Sequence, residues 1–564
     1  MFVKITQSSS RRYVQLVEAF RDANGRPRQK TIATLGRLDQ IDGELDALIQ
    51  GLLRATGRNP SAAAEPAFES ARALGDTWAL TLLWRELKLD SLARLFRRRH
   101  REVPVEALLR VMVFNRLCEP ASKLGVLRWL ETALVPGVTA ESVTHDRLLA
   151  TMDALMDEIE AVEARLAELI RPLLDTELSV VFYDLTTVSV AAEGEPDDEK
   201  DLRRYGRSKD GGITRQWLLG VVQTADGIPI AHEVFPGNTA EVPTLLPLVE
   251  RLLARYPIRR VILVADRGLL SLDNVAALDA LTAPKGTTLE YILAVPARRY
   301  AELADAVAGL DFTPTPDDSE EGDRVRETTW QDRRLIVAHD PVTAAIQTAE
   351  RESRLADLLA QGEAWAQKLE AQDQGERFQG RKLTDKGAAL TFHTALVEAG
   401  ISKIVRLDLE SPLFAYELDT DAKARAELFD GKLVLVTNAK YLKPGEVINR
   451  YKALADIERG FRVLKSELDI APMYHRLPQR IRAHAAICFI ALVLHRILRQ
   501  RLQAQHTGIS PARCLETLRR IQHHQVRLPE KTLTGVSTLT PQQQDLFTAL
   551  NLPAPSRIRV EALV

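Results

Sequence analysis

The spacing of apolar and polar positions divides the chain into stretches of different predicted structure. Up to Arg37, short apolar runs alternate with Ser-rich and Gly/Pro-containing turns, which predicts a small β-module. A helix is predicted over 41–56, before an Ala/Pro linker at 59–66. From about 71 to 172 the apolar residues recur at intervals of three and four, which predicts an all-helical domain.

The pattern changes at the run VVFYDLTTVSV, which begins at Val180 and is rich in β-formers. Two further strands follow across a turn at Asp226 and Gly227, and then come a helix and the buried strand RRVILVAD. This order predicts a mixed sheet covered by helices. From 289 to 430, apolar strands, an acidic loop and a long charged helix predict a β-rich insertion with a helical arm, after which GKLVLVTN resumes the sheet.

Local charge adds a candidate type of partner. The net charge is only −2, and 45% apolar with 27% charged residues is typical of a globular protein. However, residues 1–37 contain eight Lys and Arg against two acidic residues, and residues 476–531 contain eleven against two. Such stretches favour contact with a polyanion, although a solvated helix face has the same composition. The helical domain, punctuated by Arg97 to Arg99, is open to the same two interpretations, DNA binding or the docking of partner helices.

The cysteines and the N-terminus indicate a reducing compartment. Cys118, Cys488 and Cys514 are far apart in sequence and form no CxxC pair, so neither a disulfide framework nor a zinc site is indicated. Their apolar contexts predict core positions. The N-terminus has no charged segment followed by an apolar one, and no run of 18 apolar residues occurs. We therefore expect a cytoplasmic protein without a membrane segment.

Two aspartates lie where strands are otherwise apolar. Asp184 interrupts the first strand of the predicted sheet, so its charge must be paired, hydrogen-bonded or bound to a metal. Asp266 ends the run RRVILVAD, at the strand end where α/β proteins build their sites. Either aspartate alone is equally compatible with a helix or turn cap.

A third group lies on the predicted helix YKALADIERGFRVLKSEL. Tyr451, Glu458 and Lys465 are seven residues apart and therefore share one helix face, with Arg462 next to Glu458 at i+4. An exposed face with salt bridges is the alternative. If Asp184, Asp266 and Glu458 come together, their charges repel unless cations neutralise them, and oxygen-only ligands suit Mg²⁺ or Mn²⁺. Two such ions promote phosphoryl transfer.

These motifs resemble those of the DDE transposases of bacterial insertion sequences, a cut-and-paste superfamily with the signature Y-x2-R-x3-E-x6-K. Tyr451, Glu458 and Lys465 match three signature positions, whereas the Arg position is occupied by Leu454. The likeness runs across nearly the whole chain. It includes YVQLVEAFRDANGRPRQKTIATLGRL near the start, GVVQTADGIPIAHEVFPGN, and RLPQRIRAHAAICFIALVL after the signature helix.

The resemblance implies an RNase H-like mixed-sheet core in which Asp184, Asp266 and Glu458 are the catalytic carboxylates and hold two Mg²⁺ ions, with Mn²⁺ able to substitute. It also implies a β-rich insertion between the second and third carboxylate. Tyr451 and Lys465 are then expected to contact DNA phosphates. The expected partners are terminal inverted repeats and target DNA, and the synaptic complex is expected to be a homodimer, close to the bacterial nucleoid.

Further positions are assigned less directly. Lys452, Arg459 and Arg462 are the cations available to replace the missing signature Arg, and only Arg462 lies close to Glu458 on the helix. Trp330 and Trp365 are candidates for stacking on a flipped base, or for simple core packing. His232 and His484 are interpreted as structural histidines.

The sequence predicts an organisation in six parts. They are an N-terminal basic β-module and helix (1–58), a helical DNA-binding domain (67–172), the first part of the core (173–288), the β-rich insertion with helical arm (289–430), the second part of the core (431–500) and a C-terminal basic helical segment (501–564).

The expected function is binding of terminal inverted repeats, cleavage of the DNA ends, and transfer of the 3′-hydroxyls into target DNA. A transposase-derived DNA-binding protein without cleavage activity is the alternative, and Leu454 is the feature that favours it. A different RNase H-like nuclease would lack both the insertion and the Tyr/Glu/Lys helix.

The helix geometry distinguishes the two flanking arginines. Because Arg462 is one turn from Glu458 and Arg459 is not on that face, Arg462→Ala is expected to weaken DNA cleavage more than Arg459→Ala. Initial rates of nicking on a labelled duplex measure the difference. Equal losses in the two variants would remove Arg462 from the site.

Overall fold

A computed structural model gives the fold of this chain in two compact units. It describes residues 1–41, 45–56, 67–97, 103–173, 180–191, 200–208, 211–224, 227–240, 244–256, 260–265, 275–276, 279, 288–314, 323–375, 382–453, 462–471, 473–528 and 531–561. One unit comprises Met1–Ala71 and His523–Val536, and the other comprises Arg72–Gln522 and Ser537–Val564.

The strands are numbered in chain order. They are β1 (Phe2–Ser8), β2 (Arg11–Arg21), β3 (Pro27–Arg37), β4 (Ala67–Ala73), β5 (Val180–Ser189), β6 (Arg204–Arg207), β7 (Ile213–Thr224), β8 (Pro229–Pro236), β9 (Arg260–Ala265), β10 (Thr288–Ala294), β11 (Arg324–Trp330), β12 (Arg333–His339), β13 (Val405–Leu407), β14 (Tyr416–Leu418), β15 (Lys432–Thr437), β16 (Gln522–Leu528) and β17 (Lys531–Val536).

The helices are numbered in the same way. They are α1 (Leu38–Ile41), α2 (Leu45–Ala55), α3 (Gly75–Glu86), α4 (Ala93–Phe96), α5 (Val105–Cys118), α6 (Lys123–Thr132), α7 (His145–Asp157), α8 (Ile159–Ile170), α9 (Leu245–Arg255), α10 (Ala304–Ala308), α11 (Pro341–Asp373), α12 (Asp385–Glu398), α13 (Thr420–Leu428), α14 (Pro444–Lys452), α15 (Pro478–Ala504), α16 (Pro511–Arg519), α17 (Pro541–Ala549) and α18 (Arg557–Glu561).

The N-terminal strands form an antiparallel sheet in the order β1, β2, β3. The turn between β2 and β3 is specified locally, because the Asp22 carboxylate accepts hydrogen bonds from the backbone N–H groups of Asn24 and Arg26, both at 3.0 Å. Gly25 completes the turn with a φ of 75°, which suits a residue without a side chain. Much of the sheet is exposed, and Val14 and Val17 are buried in β2.

The C-terminal segment differs from the expectation of a helical segment. Strands β16 and β17 form an antiparallel hairpin within it, and β4 pairs with β16. The residues of β16, QHHQVRL, include no strong helix-forming run, and the strand is held by its pairing with β17 and β4. The flanking segments do fold into helices α16, α17 and α18.

A nine-stranded mixed sheet organises the large unit. Its order is β11, β12, β15, β10, β9, β5, β7, β6, with β8 paired to β7. The pairs β5–β9 and β9–β10 are parallel, whereas β7 is antiparallel to β5, β6 and β8. Strand β9 is almost continuously apolar because it lies between two parallel neighbours, where both faces of a strand are usually covered.

One face of this sheet carries an apolar core beneath helix α14. Phe182, Ile262, Val264 and Leu435 belong to one buried cluster to which α14 contributes Val447 and Ile448. These strand residues occupy alternate positions, as expected when one face of each strand points into the same layer. Helix α14 is therefore positioned on the sheet by the burial of its apolar side.

The region from 289 to 430 differs from the predicted β-rich insertion. Strands β10, β11 and β12 of this region are members of the central sheet. Their long apolar runs, such as YILA in β10, allow burial between neighbouring strands. The rest of the region, between β12 and β15, is mainly helical, with α11, α12, α13 and the short β13–β14 pair. The domain boundaries given above remain predictions.

The chain between β12 and β15, residues 340–431, is called the helical excursion, and it leaves and re-enters the sheet at one place. The backbone N–H of Asp340 donates to the Gly431 carbonyl at 2.9 Å, directly beside the paired strands β12 and β15. Arg351 forms hydrogen bonds of 2.7 and 2.6 Å with the Asp430 carboxylate. Gly431 has a φ of 64°, and a Cβ atom there would collide with the Asp340 carbonyl, so the junction requires glycine.

Helix α15 is long and apolar enough to cross a membrane by length and composition alone, but 94% of its most apolar window is buried inside the protein. It contacts α5, α7 and β8. The helix thus forms a core element of the large unit.

Gly220 in β7 provides a test of how tightly β5 is held. A Cβ atom at this position would lie 2.9 Å from the ring of Tyr183, and Tyr183 is fully buried with its hydroxyl donating to Thr244 Oγ1 at 2.8 Å. Gly220→Ala is therefore expected to lower the free energy of unfolding by about 1–3 kcal/mol, the usual cost of overpacking.

Denaturant unfolding measures this loss, with Gly445→Ala as the control. Gly445 lies in the first turn of α14 with open space around its Cα. The control is expected to leave stability unchanged or to raise it by up to about 1 kcal/mol, because alanine is the better helix former. Equal changes in unfolding free energy for Gly220→Ala and Gly445→Ala would mean that the Tyr183 ring can move to make room for the added methyl group.

Candidate active site

The strands that lead to the first two predicted carboxylates are neighbours in the sheet. Asp184 lies within β5, where it pairs with Val221 of β7. On the other side of β5 runs the parallel strand β9, whose last residue, Ala265, pairs with Tyr183. Asp266 follows Ala265 in the sequence and lies outside the described residues. The backbone thus brings Asp184 beside the end of the strand that precedes Asp266.

Strand β5 is fixed by its surroundings. Val181, Tyr183 and Val188 are completely buried. The Tyr183 hydroxyl donates its hydrogen bond to Thr244, immediately before helix α9. This contact anchors the strand to a neighbouring helix at the residue next to Asp184.

The third predicted carboxylate follows helix α14. Tyr451 lies near the end of this helix and is partly buried against the apolar core of the sheet. Leu454 and Glu458 lie outside the described residues, and residues 462–466 are helical. In that segment Arg462 is exposed and Lys465 is half-buried. The shared helix face of Tyr451, Glu458 and Lys465 therefore stays a prediction.

Lys452 is not available to replace the signature arginine, because it forms an ion pair with Asp323. Of the other two cations considered for that role, Arg459 lies outside the described residues. The exposed Arg462 remains the candidate that the sequence suggested.

A cleft of about 370 Å³ opens beside β5, and the sequence analysis did not identify it. Its lining includes Thr186 and Thr187 of β5 and Tyr205 and Arg207 of the edge strand β6. The guanidinium of Arg215 lies 5.1 Å from the centre of the Tyr205 ring. The sequence contains one signal that could have indicated this surface. It is the basic and aromatic run RRYGR, which directly precedes the residues Ser-Lys-Asp-Gly-Gly.

The wall of this cleft depends on two close backbone approaches. A Cβ atom on Gly237 would collide with the backbone oxygen of Gln216, and one on Gly206 would collide with the Gly237 carbonyl. The buried Gln216 side chain donates to the Gly237 carbonyl at 3.0 Å. The glycine of the Pro-Gly-Asn turn is thus required for β6, β7 and the turn to approach one another.

The two tryptophans have different environments. Trp365 of α11 packs in an aromatic cluster, with its ring centre 6.2 Å from those of Phe392 and Phe414. Trp330 ends β11 at a tight hairpin turn, where it is half-buried with the Arg299 guanidinium 5.3 Å from its ring centre. Trp365 is therefore a packing residue, and Trp330 remains the candidate for base stacking.

The two histidines are both in the protein interior. His232 stacks on Phe489 with ring centres 4.6 Å apart, and burial lowers its pKa. Its neighbour Glu233 binds Arg251 and Arg482. His484 Nε2 lies 3.3 Å from the Ile470 carbonyl, whereas Nδ1 has no hydrogen-bond partner within the described part of the chain. These contacts agree with structural histidines, except that Nδ1 of His484 makes no hydrogen bond to the described residues.

The three cysteines are buried and free, as expected.

The chemistry of the predicted donor set fits a hard divalent cation, since carboxylate oxygens are its preferred ligands. Within the described ranges no group of three His, Cys, Asp or Glu side chains is arranged to hold a metal ion. Two of the three predicted ligands, Asp266 and Glu458, fall outside those ranges.

Comparison with protein families identifies the class. Residues 175–494, more than half of the chain, match the model of the transposase DDE domain. Residues 3–65 match the N-terminal domain of the IS1634 family of transposases. No match was found among curated proteins. The chain therefore belongs to the DDE transposases of insertion sequences, enzymes of DNA transposition whose DDE domains generally use divalent metal ions. The mixed α/β fold is consistent with this class.

The different environments of the tryptophans give a stability test. Trp365→Ala is expected to lower the free energy of unfolding by about 2–3 kcal/mol, somewhat less than a fully buried tryptophan, because part of the ring is exposed. Trp330→Ala is expected to cost about 1 kcal/mol or less, the scale of an exposed cation–π contact. Denaturant unfolding of both variants measures this order. A larger loss in Trp330→Ala would make that ring a structural element and remove it as a stacking candidate.

Proposed function

We propose that this transposase binds the terminal inverted repeats of its insertion sequence, cleaves the DNA at both ends, and joins the freed 3′-hydroxyls to target DNA. The observation that carries the proposal is the parallel pairing of β5 and β9, which ends with Tyr183 opposite Ala265. Because of this pairing, Asp184 and Asp266 are one residue beyond paired positions on adjacent strands.

The proposed core is RNase H-like. Support comes from the strand order β8, β7, β5, β9, β10, in which the first three strands are antiparallel neighbours and the last two are parallel to β5. Three antiparallel strands followed by two parallel ones bring the ends of β5 and β9 together on the sheet that α14 covers. We propose that the excursion between β12 and β15 is the insertion of this core.

The proposed catalytic carboxylates are Asp184, Asp266 and Glu458. Alternate positions of a strand share a face, so position 184 falls on the face of β5 that Phe182 occupies beneath α14. On β9, Ile262 and Val264 occupy that face too. The chain that leads to Glu458 leaves the same helix α14, which supports a meeting of the three groups on this face of the sheet.

Asp184, Asp266 and Glu458 would hold two Mg²⁺ ions, for which Mn²⁺ is expected to substitute. When bound, such ions supply charge stabilisation for in-line displacement at a phosphodiester and activation of water or a 3′-hydroxyl. The chain's own contribution is to fix the ligands. The buried β5–β9 pair sets the spacing of the two strands, and the Tyr183–Thr244 hydrogen bond holds β5 in place.

The proposed DNA contacts surround this face. Lys465 and Arg462 are cations on the helical segment that follows Glu458, and Tyr451 is held on the sheet by its packing. Trp330 is proposed to stack on an extruded base, because its half-buried ring stands at an exposed hairpin tip. The cleft beside β5, with Arg207 and Tyr205, is a further surface suited to a nucleic-acid strand.

The proposed synaptic complex holds two DNA ends together, and this arrangement implies a homodimer.

A transposase-derived binding protein without cleavage activity is the second candidate. Leu454 favours it, because leucine at the signature Arg position has no charge with which to hold a phosphate. The ion pair of Lys452 with Asp323 removes one substitute for that charge.

Cleavage assays distinguish the two candidates. Glu458→Gln keeps the side-chain volume but removes one carboxylate charge, so metal-dependent nicking of a labelled duplex with the element's own end sequence is expected to fall about 10³-fold or more. Binding of the same duplex is expected to persist, because it depends on cations elsewhere. The matched control is Glu467→Gln, which loses only a pairing with His495 at 3.0 Å and is expected to retain most activity.

Two outcomes would contradict this assignment. Nicking that survives in Glu458→Gln would exclude Glu458 as an essential carboxylate. End-specific binding with no nicking by the wild-type protein, in either Mg²⁺ or Mn²⁺, would instead favour the binding protein without cleavage activity.

A further inference from the structure

A cavity of about 780 Å³ lies in the large unit and shares no lining residue with the cleft beside β5. The starts of three helices contribute to its wall: Lys123 is the first residue of α6, His145 is the first residue of α7, and Arg480 lies in the first turn of α15. Further lining comes from Arg116 of α5 and from Asp469, Met473 and His475. We call it the basic cavity.

The helix starts in the basic cavity carry the opposite charge from the one that stabilises a helix. The N-terminal end of a helix has a partial positive charge and favours acidic residues or bound anions. Neither α6 nor α15 has an acidic residue in its first turn. In α7 the first turn contains Asp146, but its side chain is fully exposed. Lys123 and Arg480 therefore place basic side chains at helix starts where the backbone is already positive.

Lys123 is the most telling of these residues. Its side chain is only 7% exposed, and in the described part of the chain it has no hydrogen bond and no ion pair with a carboxylate. Burial and the nearby Arg116 together lower the pKa of Lys123 to about 7. A buried amine without a partner is costly, so its place at the cavity wall calls for a ligand that offsets its charge.

The surrounding groups do not provide that compensation. Arg116 donates to the backbone carbonyls of Asp469 and Ala121, which are neutral acceptors. Arg480 is already paired with Asp153, with two contacts of 2.9 and 2.8 Å. The carboxylate in the lining belongs to Asp469, which is exposed.

The histidines of the cavity experience the same excess of positive charge. Burial, followed by Lys123 and Arg480, lowers the pKa of His475 to about 4. Burial, Lys123 and Arg116 hold the pKa of His484 well below its usual value. His484 Nδ1 is buried and has no hydrogen-bond partner in the described ranges; because the neutral ring donates through Nε2 to the Ile470 carbonyl, Nδ1 can only accept a hydrogen bond and is not a phosphate contact.

The basic cavity is connected to the strand that carries Asp184. Met473 of its wall exchanges backbone hydrogen bonds with the end of β5, donating to Ser189 and accepting from Ala191, at 3.1 and 2.8 Å. Ser189 is five residues from Asp184, which is roughly 17 Å along a strand. Consecutive phosphates of one DNA strand are spaced about 3.4 Å apart along the helix axis. A DNA strand bound at Asp184 therefore covers this distance with about five nucleotides and can reach the cavity.

We propose that the basic cavity binds a phosphate group of the DNA backbone, held by Lys123, Arg116 and the starts of α6, α7 and α15. This inference rests on the proposed function for the identity of the DNA, whereas the anion site itself follows from the unpaired Lys123 and the three helix starts. A free phosphate has the same chemistry, and the experiment separates the two sources.

The test replaces Lys123 with methionine, which has a similar volume and no charge. Binding of a labelled end duplex is measured in EDTA over a range of salt concentrations. Lys123→Met is expected to weaken binding about tenfold at low salt, the scale of one charged hydrogen bond. It is also expected to reduce the slope of log K against log salt by about 0.9, the value for one phosphate contact.

The matched control is Arg128→Met. Arg128 lies on the same helix as Lys123 and is exposed outside the cavity, so this variant loses the same charge from the same element. It is expected to leave the salt slope unchanged. Thermal unfolding provides a second readout: Lys123→Met is expected to raise the Tm, because it removes a buried unpaired amine. A residue with a merely structural role would instead lower the Tm when replaced.

Calorimetry with inorganic phosphate identifies the source of the anion. Phosphate binding that is lost in Lys123→Met, together with the change in salt slope, supports the proposal. Phosphate binding without any change in DNA affinity would overturn the DNA assignment in favour of a free phosphate. Unchanged DNA affinity with no phosphate binding would overturn the site altogether. If the wild-type protein binds phosphate but no end DNA, the proposed transposition function fails while the anion site stands.

Discussion

The parallel pairing of β5 with β9 is the interaction on which the rest of the large unit depends. Both strands are apolar where they pair, at Val180–Tyr183 and Ile262–Ala265, as expected for parallel strands that are covered on both faces. The pairing also places Asp184, the one charged residue of β5, beside the end of β9. The hairpin strands β7 and β8 then extend the sheet on one side and β10 extends it on the other.

The sequence predicted those helices and strands whose own pattern of apolar and polar residues is sufficient to identify them, whatever they pack against in the fold. The strands around Asp184, the N-terminal β-module and the long helix α11 are of this kind, since their periodicity needs no partner to be recognised. The strands β10 and β12 were instead assigned to an insertion, because an apolar run does not reveal which sheet it joins. The hairpin of β16 and β17 was missed for a related reason: short polar strands carry little periodic signal.

The candidate site shows the same division. Asp184, Asp266 and Glu458 were predicted from their places in two strands, a seven-residue spacing and the family resemblance, all of which are signals in the linear sequence. The cleft formed with Arg207 and the basic cavity around Lys123 were not found, because each draws its lining from several elements far apart in sequence. Lys123 in particular looks like an ordinary helix-opening lysine until its burial is known.

The closed base of the helical excursion has a consequence for how this protein can change over evolution. Because the chain leaves the sheet at Asp340 and returns at Gly431 within one hydrogen bond, the two anchor points are as close as the ends of a hairpin. The pairing of β12 and β15 on either side of this junction does not depend on the length of the segment between the anchor points. The junction is therefore a place where insertions or deletions are expected to leave the register of the central sheet unchanged.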